Sequence, residues 1–217
     1  HDSVEHCEPT NGTALWSFSG SGNTWVRLLY ELATGRLSST VYRKDRSELG
    51  MGFCEYREPC LADLVKVHAQ VHACGFPRRI ILTRHPAFAT VAELHREGAR
   101  RAHLSDVHSG GASAVHKVAT PVIMLQYAES VASMYRDFAE FTKTASLKQS
   151  YLMVRYEDLL GEKRLETLRS ITHFTGTRIS LERAACAFER ANHSRIHRMN
   201  KTSAAAVFAH AANAYYS

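Results

Sequence analysis

The sequence predicts an α/β protein in which helices cover both faces of a mostly parallel central sheet, giving three layers. Apolar runs of strand length alternate with longer stretches whose apolar residues recur at helical spacing, from Ala14 to Phe174. Such alternation favours parallel strands joined by helical connections. With 217 residues the chain is expected to be one domain, with a lead-in segment over residues 1–13 and a helical tail over residues 203–217.

A glycine-rich loop joins the first strand to the first helix. Residues 14–18 form an apolar run typical of a buried strand, and the apolar residues after Thr24 recur at helical spacing until Gly35. Residues 19–23, Ser-Gly-Ser-Gly-Asn, must turn. Backbone N–H groups at such a helix start point towards an anion, which makes the fold P-loop-like. The lysine of a Walker A loop is absent, so ordinary ATP or GTP hydrolysis is not expected. A tight turn without a ligand is the alternative.

The later elements follow from the same two periodicities. Strands are expected at the end of residues 61–68 and over residues 79–83 and 151–156. Helices are expected after Pro86, from Thr120, and over residues 165–174 and 181–190. The helix from Thr120 carries an apolar stripe interpreted as core packing: Val122, Leu125, Ala128, Val131, Met134, Phe138 and Phe141. Residues 36–59 are expected to be irregular, and residues 96–118 to form a mobile loop near an acceptor. Glu157 and Asp158 are expected to cap and charge the helix that follows them.

Basic side chains stand where two of these strands end. Lys66 and His68 are two residues apart in a strand, so their side chains point the same way. Arg84 directly follows the strand over residues 79–83. Open α/β sheets bind ligands at the carboxyl ends of their strands, where an arginine can hold a terminal phosphate through paired hydrogen bonds. Solvated surface charges are the alternative interpretation for each position.

Residues 17–25, Ser-Phe-Ser-Gly-Ser-Gly-Asn-Thr-Trp, resemble the 5′-phosphosulfate loop of the sulfotransferases that use PAPS (3′-phosphoadenylyl sulfate). The loop is closest to the form Ser-Phe-Pro-Gly-Ser-Gly-Asn-Thr-Trp found in the WSC-domain type. The resemblance assigns the 5′-phosphosulfate to six residues: Gly20, Ser21, Gly22, Asn23, Thr24 and Trp25. Ser19 stands where the family has proline, and Gly20 stands where the cytosolic branch has its catalytic lysine.

The resemblance extends in motif order over roughly residues 14–198. Lys66 and His68 match the family's Lys-Thr-His segment, in which the histidine is the general base. The resemblance therefore makes His68 the base. Because Gly20 replaces the lysine, Lys66 is the candidate to neutralise charge on the bridging oxygen.

Two further segments resemble nucleotide-binding parts of the family. Arg84 matches the arginine that binds the 3′-phosphate, whereas the serine eight residues later is replaced by Ala92. In the wider family a basic loop after the last core helix closes over the nucleotide, and the matching residues here are Arg195 and Arg198.

Composition favours an anionic partner. The formal net charge is +6 and the isoelectric point is near 9.2, but no signature of a nucleic-acid-binding protein is present. The five cysteines lack metal-binding spacing, and Cys54 and Cys60 could close a small disulfide loop. Glycosylation sequons begin at Asn11, Asn192 and Asn200, which favours a secretory lumen, specifically the Golgi, with any membrane anchor outside this segment. A cytoplasmic location is the alternative.

These features lead to the hypothesis of a PAPS-dependent sulfotransferase that sulfates a hydroxyl, expected to be on a carbohydrate, releases PAP and requires no metal. A nucleotide-binding pseudoenzyme is the second hypothesis, favoured by Gly20 and Ala92. A P-loop-type kinase is the third, and the missing loop lysine argues against it. The acceptor, the oligomeric state and the disulfide pairing are not predicted.

Overall fold

A computed structural model of the chain describes residues 12–42, 62–68, 75–101, 121–144 and 150–192. Five strands form one sheet: β1 (Thr13–Ser17), β2 (Ser38–Thr40), β3 (Leu64–Val67), β4 (Arg78–Thr83) and β5 (Ser150–Arg155). Their order in space is β2-β3-β1-β4-β5, and each pair is parallel. The predicted parallel sheet is confirmed, with β1 at its centre.

Five α-helices accompany the sheet in the described ranges: α1 (Asn23–Thr34), α2 (Pro86–Arg101), α3 (Pro121–Thr144), α4 (Arg164–Phe174) and α5 (Leu181–Asn192). A short 3₁₀ helix, Tyr156–Leu159, follows β5. Helix α1 ends at Gly35, whose left-handed φ of 72° and N–H bond to the Glu31 carbonyl close the last turn.

Both faces of the sheet are buried. Successive side chains of a strand point to opposite faces, so Ile80 packs with α1, α4 and α5, whereas Ile81 packs with α3. On the α3 face, Trp16 makes edge-to-face contacts with Phe138 at 4.6 Å and Phe141 at 5.8 Å between ring centroids. The predicted three-layer α/β fold is therefore confirmed.

The strand order places the carboxyl ends of β3 and β4 on either side of the carboxyl end of β1. The chain leaves β1 through α1, on one face, and reaches β5 through α2 and α3, of which α3 covers the other face. β3 and β4 lie on either side of β1. In open parallel sheets, ligands bind outside the carboxyl ends of strands where the connections diverge in this way. This edge lies beside the glycine loop.

Two predicted loops contain regular structure. Strand β2, Ser38–Thr40, falls inside residues 36–59, which were predicted to be irregular. A search for apolar runs does not detect this strand, because its three residues are polar although all three are buried. Helix α2 continues to Arg101, so the prediction of a loop from residue 96 was wrong over the first six residues. Arginine, alanine and glutamate are good helix formers, and one glycine does not end a helix.

The apolar stripe of α3 is only partly core. Val131 and Phe138 are buried as predicted, but Leu125 is 61% exposed and Ala128 is also exposed. A 24-residue helix is about 36 Å long, whereas a six-residue strand spans about 20 Å. The amino-terminal turns of α3 therefore extend past the carboxyl edge of the sheet.

Glu157 and Asp158 were expected to cap and charge the following helix; they do not cap α4, but they place negative charge in the first turn of the 3₁₀ helix. Both lie in the 3₁₀ helix, well before α4 begins at Arg164. Glu157 Oε1 accepts a hydrogen bond from the His85 N–H at 2.8 Å. Asp158 is 2.8 Å from Arg155, which lowers the pKa of the carboxyl group through its hydrogen bond.

Among the described residues, no helix combines the length and apolar character needed to cross a bilayer. The predicted helical tail over residues 203–217, the Cys54–Cys60 loop and all but the end of the lead-in segment lie outside the described residues.

Ile80 and Ile81 test the two buried faces separately. We expect Ile80→Ala and Ile81→Ala each to lower the free energy of unfolding by about 2–5 kcal/mol, because each removes fully buried methyl groups. Urea unfolding of the purified chain measures the change. Met153→Ala is the control, since Met153 is 54% exposed on β5 and should cost less than about 0.5 kcal/mol. A near-zero cost for either isoleucine would contradict a sheet covered on both faces.

Candidate functional site

The glycine loop turns sharply between β1 and α1. The Ser21 N–H donates to the Phe18 carbonyl at 3.1 Å, and Gly20 and Gly22 have φ values of 80° and 91°. Left-handed φ values favour glycine, which explains both glycines in the motif. Gly22 precedes the first residue of α1, and no side chain in the described ranges caps that helix end.

Both glycines lie against other parts of the protein. A Cβ on Gly20 would be 2.4 Å from the Ala89 carbonyl oxygen of α2 and 3.0 Å from the Glu93 nitrogen. A Cβ on Gly22 would be 2.2 Å from the ring of Tyr156. Position 20 therefore has no room for a lysine side chain in this backbone, because the obstructing atoms are themselves backbone.

Ala92 lies beside Gly20. A Cβ on Gly20 would be 3.3 Å from the Ala92 Cβ. At these two positions the chain lacks the lysine of the cytosolic branch and the serine of the family's 3′-phosphate motif. The departures, although 72 positions apart in the sequence (92 − 20), meet in space.

Asn23, the first residue of α1, ties the loop to β1. Its Nδ2 donates to the Leu15 carbonyl at 3.2 Å and to Ser17 Oγ at 3.0 Å, and the residue is buried. Its side-chain donors are therefore used internally. What Asn23 offers an anion is its backbone N–H.

The first turn of α1 holds the N–H groups that suit an anion. Backbone bonding within the helix begins with the Val26 N–H, which donates to the Gly22 carbonyl at 3.0 Å. N–H groups earlier in a helix have no acceptor within it, and here they include those of Asn23 and Thr24. The Trp25 indole packs in the core cluster shared by α1, α4 and α5.

His68 lies on one side of the loop, directly after β3. Its Nδ1 is 2.7 Å from the Ser17 carbonyl oxygen, its N–H donates to the Tyr42 hydroxyl at 2.8 Å, and the His68 and Tyr42 rings stack. A carbonyl only accepts, so Nδ1 carries the proton in this bond. In the neutral imidazole the lone pair is then on Nε2, the form required of a general base.

Arg84 lies on the other side of the loop, directly after β4. Its Nη1 donates to the Gly20 carbonyl at 2.7 Å, and its guanidinium lies 4.5 Å above the Tyr156 ring centroid. Burial lowers the pKa of Arg84, while Tyr156 and Glu157 act in the opposite direction. A guanidinium has five N–H donors, and the described residues use Nη1 alone for a hydrogen bond.

Of the remaining predicted residues, Lys66 lies within β3, two residues before His68, and is half-buried. It pairs with Leu15 of β1, and its side chain is on the same face of the sheet as that of Leu64. Arg195 and Arg198 lie outside the described residues. The structure thus brings together the loop, His68 and Arg84. Among the described residues, no cluster of three His, Cys, Asp or Glu side chains is arranged to hold a metal ion.

Sequence reasoning did not identify two tyrosines at this site. Tyr156, whose ring contacts both Gly22 and Arg84, begins the Tyr-Glu-Asp-Leu segment, so the family resemblance held a signal for it. Tyr135, on α3, bonds to the backbone of Arg84. It sits beside the apolar stripe of that helix, and nothing in the sequence pattern marks its hydroxyl.

Alanine substitutions at Gly20 and Gly35 distinguish the cost of backbone strain from the cost of a steric clash. Both have left-handed φ values, but a Cβ on Gly35 would meet only the end of the Arg183 side chain, at 3.9 Å. We expect Gly35→Ala to cost about 1–2 kcal/mol of unfolding free energy, from φ alone. Gly20→Ala should cost about 1–3 kcal/mol more, because α2 or the loop must move. Urea unfolding of both variants measures the difference. Equal costs would contradict the packing of the loop on α2.

Comparison with known proteins finds relatives along most of the chain. No family model matches it. The chain is 32% identical to a WSCD family member of Drosophila melanogaster over an alignment 184 residues long, which covers 82% of this chain and 54% of the relative. It is 32% identical to a WSCD family member of Aedes aegypti over an alignment 202 residues long, which covers 85% of this chain and 57% of the relative. A 91-residue match, 40% identical, covers 39% of this chain and 28% of a WSCD family member of Drosophila pseudoobscura pseudoobscura. The two longer matches cover about half of each relative (54% and 57%). The chain is therefore similar, over most of its length, to proteins named as WSCD family members.

Proposed function

We propose that the chain is a PAPS-dependent sulfotransferase that acts on a hydroxyl of a carbohydrate. The observation that carries the proposal is the bracketing of the glycine loop by an imidazole and a guanidinium. His68 and Arg84 follow the strands on either side of β1 and bond to the loop's Ser17 and Gly20 carbonyls, each at 2.7 Å. The loop's resemblance to the WSC-domain type of sulfotransferase and the similarity to WSCD family members also support it.

The donor set of this edge fits a sulfonated nucleotide. Backbone N–H groups of Asn23 and Thr24 and the positive end of the α1 dipole suit the 5′-phosphosulfate. The Arg84 guanidinium retains donors for the 3′-phosphate. The formal net charge of +6 favours a polyanionic donor, and Arg195 and Arg198 would add charge as the nucleotide is enclosed.

Bound PAPS would supply a sulfuryl group: the acceptor oxygen bonds to sulfur, the bond from sulfur to the 5′-phosphate oxygen breaks, and PAP leaves with that electron pair. His68 takes the acceptor proton on Nε2. Its Nδ1–H remains hydrogen-bonded to the Ser17 carbonyl, and this bond holds the orientation of the ring. The helix N-terminus and Lys66 stabilise charge that develops on the bridging oxygen. Lys66 has this role because position 20 excludes a lysine.

We also propose that the reaction takes place in the Golgi lumen, with the cytoplasm as the alternative. The sequons at Asn11, Asn192 and Asn200 support the secretory location.

Removal of the proposed base should separate transfer from binding. We expect His68→Ala to reduce sulfate transfer from labelled PAPS by about 10²–10⁴-fold, because proton removal by a side chain is lost. PAP affinity should change little, since His68 contacts the loop through one carbonyl. His173→Ala, on the exposed face of α4, is the control and should retain full transfer. A screen of glycan acceptors with labelled PAPS provides the assay.

One specific observation favours the pseudoenzyme as a second candidate: no side chain fits at position 20, so the charge that lysine supplies in the cytosolic branch is absent there. A wild-type chain that binds PAP but transfers no sulfate to any glycan would support this candidate. It would contradict the enzyme proposal.

Nucleotide preference tests the site against the kinase alternative. We expect PAP and PAPS to raise the thermal midpoint of the chain and ATP to leave it nearly unchanged, because binding to the folded state alone stabilises it. Arg84→Ala should remove most of the PAP-induced shift, since the 3′-phosphate then loses its guanidinium. Differential scanning fluorimetry with matched nucleotide concentrations measures both effects. Stabilisation by ATP without stabilisation by PAP would favour the kinase.

A further inference from the structure

We propose that Tyr135 is a positioning residue that sets the chain's selectivity for a nucleotide with a 3′-phosphate, by fixing the backbone of Arg84. This inference rests on the proposed function, in which Arg84 holds that phosphate. It adds a residue from α3, an element that carries none of the predicted site residues.

The Tyr135 hydroxyl bonds to both polar backbone groups of Arg84. The Arg84 N–H donates to the hydroxyl oxygen at 3.2 Å, and the hydroxyl donates to the Arg84 carbonyl. One side chain therefore replaces the strand partner that the backbone loses where β4 ends at Thr83. A residue held at both its N–H and its C=O has little freedom to rotate about φ and ψ.

Tyr135 is itself held by the packing under the glycine loop. Its ring packs against a small apolar cluster formed by Phe18, Ala89 and Val131. Phe18 opens the loop, and the carbonyl of Ala89 faces Gly20. The same tyrosine thus connects three parts of the site: the loop, α2 and the end of β4. Because the ring provides this packing and the hydroxyl provides the bonds to Arg84, the two contributions can be separated by mutation.

Among the described residues, the other contacts of this turn involve the Arg84 side chain and the next residue, and not the Arg84 backbone. Tyr156 and the Gly20 carbonyl hold the guanidinium, and Glu157 holds the N–H of the next residue, His85. Burial raises the pKa of Tyr135, so its hydroxyl keeps the proton that it donates. Paired hydrogen bonds to a phosphate require the guanidinium to be oriented closely, and backbone displacement at Arg84 would misplace every donor together.

Tyr135→Phe isolates the hydroxyl. The measurement is the dissociation constant of the wild type and of the variant for PAP and for 5′-AMP, which lacks the 3′-phosphate, by isothermal titration calorimetry. We expect PAP to bind about tenfold more weakly to Tyr135→Phe, with unchanged affinity for 5′-AMP. In the transfer assay, KM for PAPS should rise while kcat stays within about twofold, because His68 is untouched. Tyr151→Phe, a hydroxyl deletion on a 40%-exposed tyrosine of β5, is the control and should change neither value.

A double-mutant cycle tests whether Tyr135 acts through Arg84. In an Arg84→Ala background, Tyr135→Phe should have no further effect on the ratio of PAP to 5′-AMP affinity. An unchanged ratio in the Tyr135→Phe single variant, or the same loss with and without Arg84, would overturn the inference and leave the sulfotransferase proposal intact. Failure of the wild-type chain to bind PAP would overturn the proposed function itself.

Discussion

The structure depends on how the glycine loop divides its backbone polar groups. The carbonyls of Ser17 and Gly20 accept hydrogen bonds from His68 and Arg84, on the two strands beside β1. The N–H groups at the start of α1 are directed the other way, out of the helix end. In the part of the chain that the structure describes, His68 and Arg84 thus occupy two acceptors, and the proposed anion would use the donors at the start of α1. The left-handed backbone at Gly20 and Gly22 makes this division possible.

A loop with this role needs a rigid support, which the sheet provides. β1 is the central strand, both of its faces are buried, and Asn23 fastens the start of α1 to it through two hydrogen bonds. His68 and Arg84 directly follow strand ends and do not lie on long loops. Groups placed in this way keep their geometry before a ligand arrives, which catalysis by preorganised donors requires.

The sequence could predict whatever apolar periodicity controls. β1, β4 and α1 have strong patterns, and their order along the chain determines which strand ends meet. It could not predict β2, because Ser38 is buried through hydrogen bonds with Arg27 and Glu31 and not through apolar contacts. Tyr135 was missed for a related reason. The helical spacing of apolar residues in α3 indicates that a ring packs on the core, but it does not indicate what the tyrosine hydroxyl bonds to. Both cases are polar interactions, which a pattern of apolar residues does not reveal.

Gly20 and Ala92, which stand where the cytosolic branch has a lysine and the 3′-phosphate motif has a serine, lie next to each other in the structure. Considered along the sequence, Gly20 and Ala92 are separate losses, one of a cation and one of a hydroxyl. In the fold they are neighbours, and the loop packs so closely on α2 that any Cβ at position 20 would overlap the Ala89 carbonyl. Gly20→Lys would therefore place a backbone conflict, and not a catalytic charge, in the site. In the proposed reaction, charge for the bridging oxygen would come from another element, and Lys66 is the candidate because it lies in β3, the strand that His68 directly follows.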